Sequence, residues 1–183
     1  MQREITALDR FIQLLRIRKA VKRIPTGSRV LDIGSYDGRL FDVLGDRLGS
    51  GVGIDPNPLR TGTFGAYELR KGNFPDADLS SGFDRITILA VIEHIPRDLQ
   101  DPVAQACADL LEPGGRVIIT VPSPIVDSIL KWLGRLHLLR CVEFHQHYGL
   151  DPAEVFQTFS AHLRPVERRR IQFGLNNLFV FER

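Results

Sequence analysis

Two short stretches hold the residues best suited to bind a small polar ligand. The first is Asp32-Ile33-Gly34-Ser35-Tyr36-Asp37-Gly38, where glycines at 34 and 38 permit a tight turn and close approach of backbone to a ligand. The second is Asp55, which closes the run Val52-Gly53-Ile54 about twenty residues further on, where a carboxylate can accept hydrogen bonds from both hydroxyls of a ribose. The turn lacks the GxGxxG spacing that cradles a pyrophosphate, because Tyr36 and Asp37 intervene. Asp32 and Asp37 would repel phosphate, but they suit a ligand bearing an ammonium group. The pattern therefore points to a ribose-containing, cationic small molecule.

Such residues need strand ends and helix starts to position them, and the sequence supplies both. Arg29-Val30-Leu31-Asp32-Ile33 is a short β-rich run stopping at Gly34, and Leu40, Phe41, Val43 and Leu44 then recur at helical spacing. Gly49-Ser50-Gly51 leads into the second strand, so the unit is β-α-β. Further strands are expected at 85–89 and 116–121, with a helix near Leu99–Leu111 between them. Strands alternating with helices imply a parallel sheet covered on both faces. Near the end, strands at 166–173 and 178–181 are joined only by Gly174-Leu175-Asn176-Asn177, which requires an antiparallel hairpin. The expected fold is α/β: a doubly wound, mostly parallel sheet with helices on both faces and a C-terminal antiparallel hairpin.

With these elements in place, Val30-Leu31-Asp32-Ile33-Gly34-Ser35-Tyr36-Asp37-Gly38 and Gly51-Val52-Gly53-Ile54-Asp55 resemble the first two motifs of class I S-adenosylmethionine-dependent methyltransferases. Phe83-Asp84 through Val91-Ile92-Glu93-His94-Ile95 resembles that family's fourth-strand motif, and Leu111-Glu112-Pro113-Gly114-Gly115-Arg116-Val117 its turn into the fifth strand. The resemblance spans residues 29–122 and implies S-adenosylmethionine as cofactor. It also implies roles. Asp32, Gly34, Ser35, Tyr36 and Gly38 would line the methionine end, Asp55 would hold the ribose, and Pro56 would pack beside the adenine. Asn73 and Phe74 follow Gly72 where the family often carries an acidic residue against the adenine, although a core position is an ordinary reading for Phe74. Leu89 and Ala90 would face the sulfonium and the methionine amine. The chain departs from the family at Tyr36, where glycine is usual, and after Asp55, where Pro58, Gly62, Thr63 and Gly65 weaken the expected helix.

Methyl transfer needs alignment of the acceptor and, for some acceptors, removal of a proton. His94, His145 and His147 are the candidate bases, with Tyr148 beside the last two. Two histidines one residue apart without a third ligand give no reason to expect a metal. Residues 123–150, an insertion of about twenty-eight residues where the family connection is short, are expected to shape an acceptor site, because loops of that length usually carry a role. Ser123-Pro124 opens it as a helix start, and Ile125, Val126, Ile129, Leu130, Leu133, Leu136 and Leu139 follow at helical spacing, suiting a lid over a small or lipid-linked acceptor.

Composition sets outer bounds. With 183 residues, 43% hydrophobic and 25% charged, one methyltransferase domain spanning 1–183 is expected, its first 24 residues forming an amphipathic helix with a basic face. That face is compatible with a membrane surface, and the net charge of +2 gives no case for nucleic acid. No apolar run approaches the roughly 18 residues of a transmembrane span, and Cys107 and Cys141 lack partners at metal spacing, so a cytoplasmic location is expected. The alternative is a module that binds S-adenosylmethionine or an anionic surface without catalysis. A nicotinamide-dependent oxidoreductase fits less well, lacking GxGxxG.

Overall fold

A computed structural model describes residues 7–123 and 151–183; the expected lid, with His145, His147, Tyr148 and Cys141, lies outside the described residues. The chain opens with α1 (Ala7–Val21), which buries Ile17, Ala20 and Val21 against the sheet. The apolar pattern predicts helix to Ile24, but regular helix stops at Val21. Arg23 and Ile24 donate instead to Ala20 and Val21, a tightened last turn, because Pro25 disfavours helical geometry at the residue before it.

β1 (Ser28–Ile33), α2 (Arg39–Leu44) and β2 (Leu48–Asp55) form the expected first unit. The stretch after Asp55 holds no helix. It forms a hairpin of β3 (Gly62–Phe64) and β4 (Tyr67–Lys71), and β4 then pairs with β2 in parallel. Glycines at 62 and 65, both with positive φ, suit this reversal and oppose a helix. The hairpin is anchored by the Tyr67 ring, stacked 4.8 Å from Phe41 and 5.7 Å from Phe64.

β5 (Phe83–Leu89), α3 (Arg97–Leu110) and β6 (Leu111–Pro122) follow, both strands beginning earlier than the apolar runs suggest because each carries an irregular pairing near its start. After the second described segment begins, α4 (Pro152–Ser160) leads into β7 (Arg164–Ile171) and β8 (Asn176–Glu182). Asp151 caps α4, its Oδ1 accepting from the amide of Ala153 at 2.8 Å, with Pro152 at the first helical position. The terminal hairpin is antiparallel as expected, but its turn is Gln172–Gly174, and Asn176 already pairs within β8.

Among the described residues the sheet has eight strands, in the order β3-β4-β2-β1-β5-β6-β8-β7. β1, β2, β4, β5 and β6 are mutually parallel where they pair, whereas β3, β7 and β8 join antiparallel. This is the expected doubly wound, mostly parallel sheet with a C-terminal antiparallel hairpin. One apolar layer packs α3 and α4 on the sheet through Leu31, Ile33, Ile86, Val103, Val155 and Phe159, and the other packs α1 and α2 through Val30, Phe41, Ile118, Leu178 and Val180. Side chains alternate between these layers, so Asp32, which shares the parity of Val30, faces the α1 and α2 side. Among the described residues β7 is the last strand at this edge, and the edge is basic. Arg164, Arg168, Arg169 and Arg170 are exposed there, with Arg164 paired to Glu182 and Arg168 lying 4.8 Å from the Phe156 ring centre.

Candidate cofactor site

The chain leaves β1 for β2 on one side and reaches β5 on the other, which opens a crevice at the carboxyl ends of β1 and β5. Gly34 begins the turn at φ +78, and a Cβ there would overlap the methyl carbons of Val91, so only glycine fits. Its amide and that of Ser35 donate to the carbonyl of Ile54, at 2.8 and 3.2 Å, and tie the turn to β2. Tyr36 continues it at φ +39. Glycine is therefore usual at this position because the backbone is left-handed, and the tyrosine carries some strain.

Asp55 organises the same turn from the neighbouring strand. Its Oδ2 accepts from the Tyr36 amide at 3.1 Å and its Oδ1 from the Asn57 amide at 2.7 Å. Each oxygen keeps a second lone pair, and the carboxylate is only half-buried, so it can still receive hydroxyl donors. Pro56 is exposed beside it.

Asp32 is the most perturbed acid near the turn. It is 5% exposed and accepts a 2.6 Å hydrogen bond from the Thr87 hydroxyl on β5. Burial pushes its pKa up to about 7; the Thr87 bond opposes the shift, and the charges of Asp37 and Asp55 add to it. A buried acid facing two further carboxylates is a place prepared for a cation. Thr87 was not among the residues singled out from sequence. Its only signal is a polar residue between Ile86 and Ile88 in an apolar strand.

The remaining candidates fall around this centre unequally. The Ser35 hydroxyl is buried beside Gly53 of β2, without a hydrogen-bond partner among the described residues. Gly38 caps α2 at φ +75, its amide donating to Ser35. Leu89 and Ala90 close β5, with Ala90 at φ +58 and its amide bonded to the Thr120 carbonyl at 3.0 Å. Asn73 is exposed after β4, whereas Phe74 is half-buried and packs on the core layer of α3 and α4, the ordinary place for an aromatic ring. His94 is exposed in the turn Ile92–His94 just beyond β5. Glu93 beside it is buried. Tyr36, Ala90 and Gln172, the non-glycine residues with positive φ among those described, all lie at the carboxyl edge of the sheet.

Fold and site thus define a doubly wound domain with the carboxyl groups of Asp32 and Asp55 gathered at its first-strand turn. A family model described as a methyltransferase domain matches residues 2–162, and the chain belongs to the class I S-adenosylmethionine-dependent methyltransferases. Among curated relatives, the ubiquinone biosynthesis O-methyltransferase of Xanthomonas axonopodis pv. citri (strain 306) is 34% identical over 148 residues, covering 72% of this chain and 60% of that protein. The protein of the same name from Xylella fastidiosa (strain 9a5c) is 30% identical over 151 residues, covering 73% and 60%. The chain therefore spans about 60% of the length of these relatives. Among solved structures, N-methyltransferase NodS from Bradyrhizobium japonicum WM9 in complex with S-adenosyl-L-homocysteine superposes with a TM-score of 0.68 at 17% identity, covering 97% of this chain and 88% of that one.

The family cofactor fits the residues present. Asp32 would offer an anion to an ammonium, and Asp55 would offer acceptors to a ribose. Asp55→Ala is expected to weaken S-adenosylmethionine binding at least about tenfold, since charge-assisted hydrogen bonds of this kind contribute roughly 1.5–3 kcal/mol. Titration calorimetry alongside circular dichroism checks this: unchanged affinity in a folded variant would remove Asp55 from the site.

Proposed function

We propose that this chain transfers a methyl group from S-adenosylmethionine to a hydroxyl oxygen of a small molecule, with a lipid-linked acceptor as one form of that class. The observation that carries the cofactor half is the buried Asp32 carboxylate, raised to about 7 and set beside Asp55 at the turn after β1. The acceptor half is supported by the relatives, which are named ubiquinone biosynthesis O-methyltransferases.

When bound, S-adenosylmethionine supplies a sulfonium-activated methyl group for in-line displacement. The chain's own contribution is placement. Asp32 holds the ammonium end once ionised, with Thr87 fixing the direction of its carboxylate. Asp55 receives the ribose hydroxyls while its other lone pairs hold the turn closed through Tyr36 and Asn57. Leu89 and Ala90 close β5 and would lie beside the reacting centre. An attacking hydroxyl must lose a proton as the new bond forms, and His94 lies on the turn directly after β5.

Among the described residues, no helix is long and apolar enough to cross a membrane. The direct experiment is calorimetry with S-adenosylmethionine, S-adenosylhomocysteine and NAD, followed by transfer of labelled methyl to a metabolite extract. Binding of the first two and labelling of an extract component are expected. Binding of NAD alone would sink the proposal, and cofactor binding without transfer would favour a non-catalytic binding module.

A further inference from the structure

Beyond the cofactor crevice, two buried polar atoms at the carboxyl edge have no hydrogen-bond partner among the described residues: Thr120 Oγ1 on β6 and Asn176 Oδ1 on β8. The two residues are 0% and 4% exposed, so an incoming group reaches them only when the side chains that cover them move aside. An unpaired buried polar atom is costly, and its persistence calls for a reason.

Their placement gives one. Thr120 pairs with Leu178 and Pro122 with Asn176, so the two residues are diagonal neighbours across β6 and β8. Ile118 and Leu178 both belong to the α1 and α2 layer, and side chains alternate by twos, so Thr120 and Asn176 face that same side. Asp32 and Thr87 face it as well. Leu89 pairs with Thr120, which puts the unpaired hydroxyl one strand beyond the end of β5.

The network also decides which atom of Asn176 is free. Gln172 donates its amide Nε2 to the backbone carbonyl of Ile12 in α1 at 3.3 Å, a partner that can only accept. Gln172 must therefore turn Oε1 the other way, and Asn176 meets it with Nδ2. What remains is Oδ1, an acceptor with no donor. Thr120 can both donate and accept. A hydroxyl satisfies both together, donating to Asn176 and accepting from Thr120. A methyl ether or a carbonyl oxygen cannot, having no proton to give.

We infer that Thr120 and Asn176 form a hydroxyl-reading subsite for the methyl acceptor, holding a free hydroxyl other than the atom that takes the methyl. The inference rests on the methyltransferase reading above. One to two strand spacings, roughly 5–10 Å, separate the end of β5 from this pair, so the acceptor carries two functional groups that far apart at most. Because Asn176 is tied through Gln172 to Ile12, the same hydrogen bonds hold α1 against the acceptor end of the sheet.

Thr120→Val removes the hydroxyl at constant shape, and Thr120→Ser restores it. Without ligands, Thr120→Val is expected to melt at or above the wild-type temperature, because it removes an unpaired buried hydroxyl. A fall of more than about 4 °C would show that the hydroxyl already bonds within the fold, which overturns the inference. For turnover, the probe is the extract component that wild-type protein labels with methyl from S-adenosylmethionine, purified and identified by mass spectrometry. It is expected to keep a free hydroxyl after methylation. Thr120→Val and Asn176→Leu should each raise its KM at least about tenfold while S-adenosylhomocysteine affinity stays at the wild-type value, and Thr120→Ser should restore KM. A product with no free hydroxyl, or a KM for Thr120→Val within about twofold of wild type, overturns the subsite. If wild-type protein labels nothing, the methyltransferase reading fails instead, and the melting comparison alone decides whether the hydroxyl is held in reserve.

Discussion

Asp32→Asn is expected to make the ligand-free protein more stable at pH 8 and to weaken cofactor binding severely. In the folded chain Asp32 titrates at about 7, against 3.8 for the unperturbed group, so folded protein binds more protons than unfolded protein between those values. The contribution of this residue is therefore most favourable below about pH 4, declines as pH rises, and levels off above about pH 7. The full shift corresponds to about 4 kcal/mol, the cost of keeping a carboxylate ionised in that place at pH 8. Asparagine has the same shape, keeps an oxygen for the Thr87 hydroxyl and never ionises. The stability difference between variant and wild type should thus grow from near zero at about pH 4 to several kcal/mol at about pH 8. Denaturant unfolding at both pH values checks this, and a variant less stable than wild type at pH 8 would refute it. Binding should run the other way. Wild-type affinity for S-adenosylhomocysteine, which keeps the ammonium, should fall about tenfold per pH unit below about 7 as Asp32 takes up its proton. The variant should bind weakly at every pH.

Gly34→Ala should be strongly damaging. The added carbon would overlap Val91, and the φ of +78 is strained for any residue with a side chain. Strain and overpacking together predict a loss of about 2–5 kcal/mol, with cofactor binding lost as the turn shifts. A second change, Val91→Ala, clears the overlap but not the strain. The double variant should therefore recover part of the stability that Gly34→Ala loses, an interaction that a thermodynamic cycle measures directly. Simple additivity of the two losses would show that Val91 does not hold the turn.

Both predictions concern residues that the sequence made conspicuous, for different reasons. Asp32 and Gly34 sit where a β-rich run stops at a glycine, and that pattern is local, so it survives in one dimension. The same holds for Asp55, the end of β2, and for the antiparallel terminal hairpin, where a short connection leaves no other geometry. What pairs with these residues was not legible. Thr87 meets Asp32 across 55 positions, and Val91 meets Gly34 across 57. Such partners are chosen by strand register, which no single run encodes. The β3–β4 hairpin was hidden for a related reason. Its glycines argued against a helix, but β3 is three residues long and is stabilised by Tyr67 stacking on Phe41, a contact made only once the sheet exists. The left-handed backbone at Tyr36 was masked by its aromatic side chain, and the unpaired atoms of Thr120 and Asn176 look like ordinary strand residues until their neighbours are counted.

The arginine-rich border of the sheet bears on how the protein behaves in crowded solution. Among the described residues β7 ends the strand series, which leaves one row of its amides and carbonyls as a template on which another chain could add a strand. Antiparallel addition of a second β7 would bring Arg168, Arg169 and Arg170 against their own copies, and like charges across a strand pair repel. The guard is electrostatic, so salt weakens it. Self-association through this edge should therefore be suppressed at low ionic strength and should increase as salt is added, opposite in direction to binding of an anionic partner.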